Sequence, residues 1–219
     1  MEYFEAIFSV MYIIVIIYFG VLIYRKSTNR EMKMFGIMAL VLGFGDSFHV
    51  LSRSYAIFTD TMEVDSMIQV MGFGRLATSI TMTFFYLIFY YIYKMRFRIK
   101  NTLVIDSMIW ILVVSRIVLV AFPQNEWFAA NPSYMWSLIR NAPFTLLGII
   151  LMILLFTKSL RENDKYFKYI AISVFLSFAF YAPVILWVDV YPLIGMLMIP
   201  KTLAYVSVVY LGYKVYREV

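Results

Sequence analysis

The sequence contains no cysteine and a single histidine among its 219 residues. Disulfide bonds, a thiolate nucleophile and a sulfur-ligated metal are therefore excluded, and with one histidine no zinc site is expected. Charged residues are also scarce, at 15%, whereas hydrophobic residues make up 63% of the chain and the mean hydropathy is +0.82. This balance excludes a disordered chain and a water-soluble single domain of this size. It predicts an all-α integral membrane protein.

Long apolar runs account for most of the chain. A membrane-spanning helix needs about 20 mostly apolar residues, and this rule predicts a single transmembrane domain, residues 1–219, built as a bundle of seven helices. The first run is not expected to be a cleaved signal peptide, because Glu2 and Glu5 precede it and no small-residue cleavage site follows. The predicted spans cover roughly residues 4–24, 33–54, 66–93, 102–122, 136–157, 166–188 and 192–213.

Positive charge is concentrated in alternate connections. Of the 19 lysine and arginine residues, all but five lie in the connections after spans 1, 3 and 5 and in the C-terminal tail. Because basic loops stay in the cytoplasm, we expect the N-terminus outside and the C-terminus inside, and we do not expect nucleic-acid binding. On the outer side, the segment from Phe122 to Trp136 combines aromatic residues with two prolines. This composition is typical of an interfacial belt or of a loop lying over the bundle.

Five basic residues lie inside the predicted spans, all in the outer halves: Arg53, Arg75, Arg116, Arg140 and Lys201. At 1.5 Å per residue, Arg75 and Lys201 lie roughly 12 Å below the outer ends of their helices, and Arg116 about 9 Å. Arg53 and Arg140 are near enough to the surface for their side chains to extend to it. The three deep cations imply a cost of about 8–10 kcal/mol. Water, counter-charges or a bound anion must offset that cost.

Negative charge is scarce at the depth of these cations, where Asp46 is the one acidic residue predicted. Asp106 is expected near the cytoplasmic end of its span, and Asp189 at the outer boundary. We infer that an anionic ligand supplies the missing charge. The alternative is that the cations bond to Asp189, to lipid phosphates or to backbone carbonyls freed by the prolines predicted to interrupt the last three spans, at positions 143, 183 and 200.

The second span carries an acid, a histidine and an arginine on one face. Asp46, His49 and Arg53 have the spacing i, i+3, i+7, so all three project from the same side of the helix. The third span contains Gly72-Phe-Gly-Arg75. In antiparallel neighbours Asp46 and Arg75 fall at about the same depth, where we expect them to pair, and the glycine before each charge allows close backbone approach. Neutral polar groups expected around the same cavity are Thr78, Ser79, Ser137, Asn141 and Tyr205.

Three functions are compatible with this pattern. In the first, the chain binds or transports an anionic small molecule or lipid head group in a cationic pocket open to the outside, with Asp46 and His49 setting protonation. In the second, it is an intramembrane lipid hydrolase with Asp46 and His49 as acid and base, although no Gly-x-Ser-x-Gly, His-Glu-x-x-His or metal-binding motif is present. In the third, Lys201 holds retinal as a Schiff base. We favour the first, with membrane lipids and the anion as partners and without a cofactor.

Three short motifs resemble a family of functionally unassigned bacterial membrane proteins: Gly45-Asp-Ser-Phe-His49, Trp136-Ser-Leu-Ile-Arg140-Asn and Ile199-Pro-Lys201-Thr. The resemblance implies seven helices in a bacterial plasma membrane and supplies no activity. The Gly45-Asp46 step is also similar to the glycine-aspartate step of lysoplasmalogenases, and seven spans with a lysine in the last resemble a microbial rhodopsin. The third span, however, holds no acid to act as the usual counter-ion of a retinal Schiff base.

Overall fold

The computed structural model describes residues 2–59, 64–100, 102–188 and 190–218, and it does not describe the side chains of residues 2–4, 52, 53, 56–59 and 192. The described chain is helical and has no strands, and seven of its helices are long and apolar enough to cross a membrane. The predicted all-α class and the number of long helices are therefore confirmed. The long helices are α1 (Glu2–Lys26), α2 (Arg30–Thr59), α3 (Val64–Arg96), α4 (Leu103–Ala121), α5 (Tyr134–Arg161), α6 (Lys165–Trp187) and α7 (Met198–Glu218).

The helices form one bundle with α3 at its centre. Successive helices pack on each other, α1 also packs on α7, and α3 contacts α2, α4 and α5. The second half of α3 supplies large side chains that are fully buried, among them Phe85, Tyr86 and Phe89. Apolar residues from the other helices surround them and fill the half of the bundle away from the N-terminus. Polar cavities lined by residues of α2, α3 and α7 lie in the other half, which we call the N-terminal half.

Large apolar side chains also cover the outside of the bundle. Exposed examples on different helices are Ile14 of α1, Ile111 of α4, Ile153 of α5 and Phe175 of α6. A protein in water does not expose apolar surface on all sides, since contiguous patches of this kind drive association. The distribution is typical of a multi-pass membrane helix bundle.

Ion pairs connect the helices at the end opposite the N-terminus. Lys94 of α3 bonds to Asp106 of α4, with 2.7 Å from Nζ to Oδ1, and Arg96 donates from Nε to Asp164 at 2.8 Å. Asp164 also accepts from the backbone amide of Phe167 and so caps the start of α6. The charge of Asp106 is thus already paired at the far end of the bundle.

The predicted spans agree with the helices to within a few residues, except at the start of the last span. Pro143 and Pro183 lie inside α5 and α6, as predicted. The last span instead begins with a 3₁₀ helix, Pro192–Leu197, and α7 begins at Met198, so Pro200 lies in the first turn of α7. Pro200 has no amide hydrogen to bond back to the 3₁₀ helix that precedes it. The last span therefore changes from 3₁₀ to α-helix beside Pro200, whereas α5 and α6 continue through Pro143 and Pro183.

Candidate functional site

Two glycines bring α2 and α3 into backbone contact in the N-terminal half of the bundle. A Cβ atom added to Gly74 would lie 2.7 Å from the Cα of His49, and one added to Gly45 would overlap the side chain of Thr81. Thr78 Oγ1 donates to the carbonyl oxygen of Gly45 at 3.1 Å. The close approach expected from the glycines is present, and it fixes which faces of the two helices point into the bundle.

The expected pair between Asp46 and Arg75 does not form. The contacts between α2 and α3 set residue 49 opposite residue 74 and residue 45 opposite residue 78. Asp46 is therefore opposite residue 77, and Arg75 lies about two residues, or roughly 3 Å, nearer than Asp46 to the end of the bundle that carries the N-terminus. Asp46 accepts a hydrogen bond from Tyr12 Oη at 2.8 Å, and Arg75 donates from Nη2 to the carbonyl oxygen of Trp127 at 3.0 Å. The prediction was wrong because the two side chains face different cavities.

The first of these cavities, which we call the acidic cavity, has a volume of about 130 Å³ and lies between α1, α2, α3 and α7. Two carboxylates, Asp46 and Glu5, line it. Asp46 was expected in such a position, whereas Glu5 was expected only to mark the outer end of the first span. The hydroxyl groups of this cavity belong to Ser9, Tyr12, Ser54, Thr78, Thr202 and Tyr205.

The second cavity, which we call the basic cavity, has a volume of about 200 Å³. Three neighbouring helices, α3, α4 and α5, each contribute one arginine to it: Arg75, Arg116 and Arg140. A cavity needs about 10–15 Å³ to hold one water molecule. The basic cavity therefore has room for an anionic group such as a phosphate or a carboxylate. The neutral polar residues that line it are Thr78, Ser79, Ser137, Asn141, Tyr181 and Tyr205.

Arg140 is buried beneath the segment that follows α4. Its guanidinium lies over the ring of Trp127, 4.3 Å from the ring centroid, and the residue is 9% exposed. Nη1 donates to Asn125 Oδ1 and Nη2 donates to Ser137 Oγ, each at 3.1 Å. The expectation that Arg140 extends to the membrane surface is therefore wrong, because the segment covers it. Of the two interpretations of this aromatic segment, the structure shows the loop lying over the bundle.

The same segment also holds Arg75. A Cβ atom on Gly72 would overlap the carbonyl oxygen of Trp127, so the glycine lets the segment come close to α3 and accept the hydrogen bond from Arg75. Asn125, which is fully buried, fixes the segment from below, since its Nδ2 donates at 2.7 Å to the carbonyl oxygens of Leu119 and Phe122 at the end of α4. One loop thus positions two of the three arginines.

Arg116 is the most buried of the three arginines, with 3% of its surface exposed. Its guanidinium lies 5.2 Å from the centroid of the Phe144 ring, and Nη1 donates to the carbonyl oxygen of Arg140. Pro143 has no amide hydrogen, so it leaves the carbonyl of Ile139, one residue before Arg140, without its usual helical donor. Among the described residues, the Nε atoms of Arg116 and Arg75 are buried and have no hydrogen-bond partner.

Lys201 lies in the wall that the two cavities share. Its Nζ lies over the ring of Tyr181, 4.0 Å from the centroid, on the side of the basic cavity. Asp46 faces it from the acidic cavity, but the two do not form an ion pair within 4 Å. The other residues common to both cavities are His49, Thr78, Met198 and Tyr205.

The basic cavity is short of negative charge. In the part of the chain that the structure describes, no carboxylate oxygen lies within 4 Å of the charged nitrogens of the three arginines or Lys201. Arg75 and Arg116 bond to the backbone carbonyls of Trp127 and Arg140, which are not the carbonyls that Pro143, Pro183 or Pro200 would free four residues earlier. A carbonyl satisfies a donor, but it does not neutralise a charge. Asp189 and the side chain of Arg53, also named from the sequence, lie outside the described part.

The structure places all five of the neutral residues named from the sequence in the lining of the basic cavity: Thr78, Ser79, Ser137, Asn141 and Tyr205. Asn141 Nδ2 donates to the carbonyl oxygen of Ser137 at 2.8 Å, and the Tyr205 hydroxyl lies 3.3 Å from that of Tyr86. Sequence reasoning missed the residues that position the charged groups. They have ordinary types for a membrane helix or loop and show no regular spacing: Tyr12, Asn125, Trp127 and Tyr181.

No group of three His, Asp or Glu side chains that could hold a metal ion occurs among the described residues. Comparisons of the chain with protein-family models, with curated proteins and with solved structures found no match. The function is therefore argued from the two cavities and their charges.

Proposed function

We propose that this chain is a seven-span membrane protein that binds or transports an anionic small molecule or an anionic lipid head group in the basic cavity. The observation that carries this proposal is the convergence of four cations on one cavity without a carboxylate beside them in the described part of the chain. The chemistry shared by the candidate ligands is an oxyanion, such as a phosphate, a sulfate or a carboxylate.

Electrostatics supports an anion in this place. Each cation inside a membrane helix costs about 2.5–3.5 kcal/mol on insertion scales, and like charges around one poorly hydrated cavity also repel each other. Hydrogen bonds to carbonyls and contacts with aromatic rings offset part of the cost. An oxyanion in the basic cavity offsets the remainder for all four cations together.

The orientation of the arginines favours an oxyanion over a spherical ion. The ring of Trp127 covers a face of the Arg140 guanidinium, and the ring of Phe144 lies against the Arg116 guanidinium. The N–H groups on the guanidinium edges then remain for in-plane hydrogen bonds, which match the paired oxygens of phosphate, sulfate or carboxylate. The buried Nε atoms of Arg75 and Arg116 are donors of this kind.

Two features support membrane insertion with the N-terminus outside. Apolar side chains cover the outer surface of the bundle, and the basic connections lie at the end opposite the cavities. Because basic loops remain in the cytoplasm, this orientation opens the basic cavity toward the outside. The location that the sequence resemblance implies is a bacterial plasma membrane.

The test is a binding titration of the purified protein in phosphatidylcholine nanodiscs, with sodium sulfate and short-chain phosphatidylglycerol as separate ligands. We expect the wild type to bind at least one of them. Because a hydrogen bond to a charged group is worth about 1.5–3 kcal/mol, Arg75→Gln and Lys201→Gln should each weaken binding by about tenfold or more. The matched control is Arg161→Gln, which removes an exposed arginine at the opposite end of the bundle and should leave the affinity unchanged.

The two ligands distinguish the sources of the anion. Binding of sulfate alone identifies a free anion, and binding of phosphatidylglycerol alone identifies a lipid head group. Wild-type affinity in both Arg75→Gln and Lys201→Gln, or no binding of either ligand by the wild type, would contradict the proposal. Mass spectrometry of species that copurify with the wild type and not with Lys201→Gln then identifies the natural ligand.

A further inference from the structure

Lys201 lies between a cavity lined by Asp46 and Glu5 and a cavity lined by three arginines. Its flexible four-carbon chain ends against Tyr181 on the basic side, while the carboxylate of Asp46 lines the acidic side. A lysine ammonium is a point charge on a mobile stem, and it can turn toward either neighbour. The same cation therefore has two alternative partners, which are Asp46 and an anion in the basic cavity.

Ionisable groups approach Asp46 from several helices, and Lys201 is the one lysine or arginine among the described side chains of the acidic cavity. α3 faces this cavity with Thr78, which carries no charge. Tyr12 donates a hydrogen bond to Asp46 and remains neutral in doing so. Among the described side chains, the ionisable groups that face Asp46 are Glu5 and Tyr12 from α1, His49 from α2, Tyr181 from α6, and Lys201 and Tyr205 from α7.

The two partners of Lys201 compete for its charge. A carboxylate in a poorly hydrated cavity stays ionised when a cation is near it, and it binds a proton when the cation is withdrawn. An anion in the basic cavity attracts the Lys201 ammonium. The electrostatic stabilisation that this ammonium gives to the Asp46 carboxylate then becomes weaker.

We infer that Asp46 binds one proton when an anion enters the basic cavity, and that Lys201 links the two events. This inference rests on the proposed function, because it needs an anion in that cavity. In the step, the Asp46 carboxylate takes one proton from solvent and becomes a carboxylic acid, while Lys201 keeps its own proton. The anion then enters together with one positive charge, and a transport cycle through this site carries the anion and the proton in the same direction.

Proton uptake during ligand binding tests the inference. Sulfate and the phosphodiester of phosphatidylglycerol gain no proton between about pH 6 and 8, so any proton taken up goes to the protein. In weakly buffered nanodisc samples, we expect the wild type to take up close to one proton per bound anion. By linkage its affinity should then fall by up to tenfold per pH unit as the pH rises.

Asp46→Asn should remove both effects, because asparagine has the shape of the protonated acid and no charge to lose. We expect no proton uptake, an affinity independent of pH, and binding at pH 8 about tenfold tighter than that of the wild type. Asp46→Glu restores a carboxylate and should restore the uptake. Asp65→Asn, an exposed acid in the first turn of α3, is the matched control and should take up the proton like the wild type.

The outcomes separate this inference from the proposed function. If the wild type binds sulfate or phosphatidylglycerol without proton uptake, the function stands and the coupling is overturned. If uptake persists in Asp46→Asn and disappears in His49→Gln, the proton acceptor is His49, which also overturns the assignment to Asp46. If the wild type binds neither ligand, both the function and the coupling fail.

Discussion

Arg116 is the most buried cation of the basic cavity, and its charge meets only the Phe144 ring and one carbonyl oxygen in the described part of the chain. Replacing a buried charged residue by an apolar one of similar length is often neutral or stabilising, by up to about 4 kcal/mol. We therefore expect Arg116→Met to raise the thermal unfolding temperature in anion-free buffer. The same substitution should weaken the binding of sulfate or phosphatidylglycerol, so that these ligands no longer raise the unfolding temperature.

Arg161→Met is the control for this experiment, because Arg161 is exposed at the opposite end of the bundle. It should change neither the unfolding temperature nor the effect of the ligands. A lower unfolding temperature for Arg116→Met would mean that Arg116 mainly holds the carbonyl of Arg140 in place. That result would contradict a binding role for this arginine.

Charged residues are the part of the site that the sequence predicts best. A cation in an apolar run stands out because its burial is costly, and this reasoning identifies Arg75, Arg116 and Lys201 from charge and hydropathy alone. Their partners cannot be found in the same way. Trp127 and Tyr181 are ordinary residues for such a chain, and only the three-dimensional fold brings their rings against the cations.

The helix pair α2 and α3 depends on glycine at the point where the two backbones meet. A methyl group at Gly74 would lie 2.7 Å from the Cα and 3.0 Å from the amide nitrogen of His49, and backbone atoms cannot rotate away. Overpacking of this kind costs about 1–3 kcal/mol, against a gain of about 1 kcal/mol in helix propensity. We expect Gly74→Ala to lower the thermal unfolding temperature by several degrees, measured in detergent, and to displace His49.

Gly195→Ala provides the comparison, since among the described residues a Cβ atom there meets only the Val188 side chain, at an ordinary 3.7 Å. It should unfold at the wild-type temperature or slightly above it. Equal unfolding temperatures for Gly74→Ala and Gly195→Ala would show that α2 and α3 can separate without loss, and the glycine contact would then not determine the register of the two helices.

Helices were easier to predict than their ends and their relative depths. Apolar runs separated by basic connections gave seven helices, because length and hydropathy alone decide whether a segment can span a membrane. The expected pair of Asp46 and Arg75 required the register between α2 and α3 to within half a turn, and counting residues from uncertain helix ends cannot supply it. The start of α7 at Met198 was missed for a similar reason, since hydropathy does not reveal the 3₁₀ helix that precedes it.

On the scale of the whole molecule, the aromatic core and the two cavities occupy opposite halves of the bundle. The aromatic core occupies the half away from the N-terminus, and the ion pairs of Lys94 and Arg96 connect helices at that end. Both cavities lie in the other half. If an anion binds as we propose, it therefore reaches the basic cavity from the N-terminal end, and its passage through the molecule would require the aromatic core to rearrange.

This division makes the orientation in the membrane decisive for function, and the absence of cysteine makes the orientation measurable. Gln124→Cys introduces a thiol at an exposed position beside the cavities, and Glu162→Cys introduces one at an exposed position of the opposite end. If the basic connections are cytoplasmic, a membrane-impermeant maleimide should label Gln124→Cys in intact cells and should label Glu162→Cys only after the membrane is permeabilised. The reverse pattern would place the basic cavity on the cytoplasmic side, and the anion it binds would then be an intracellular one.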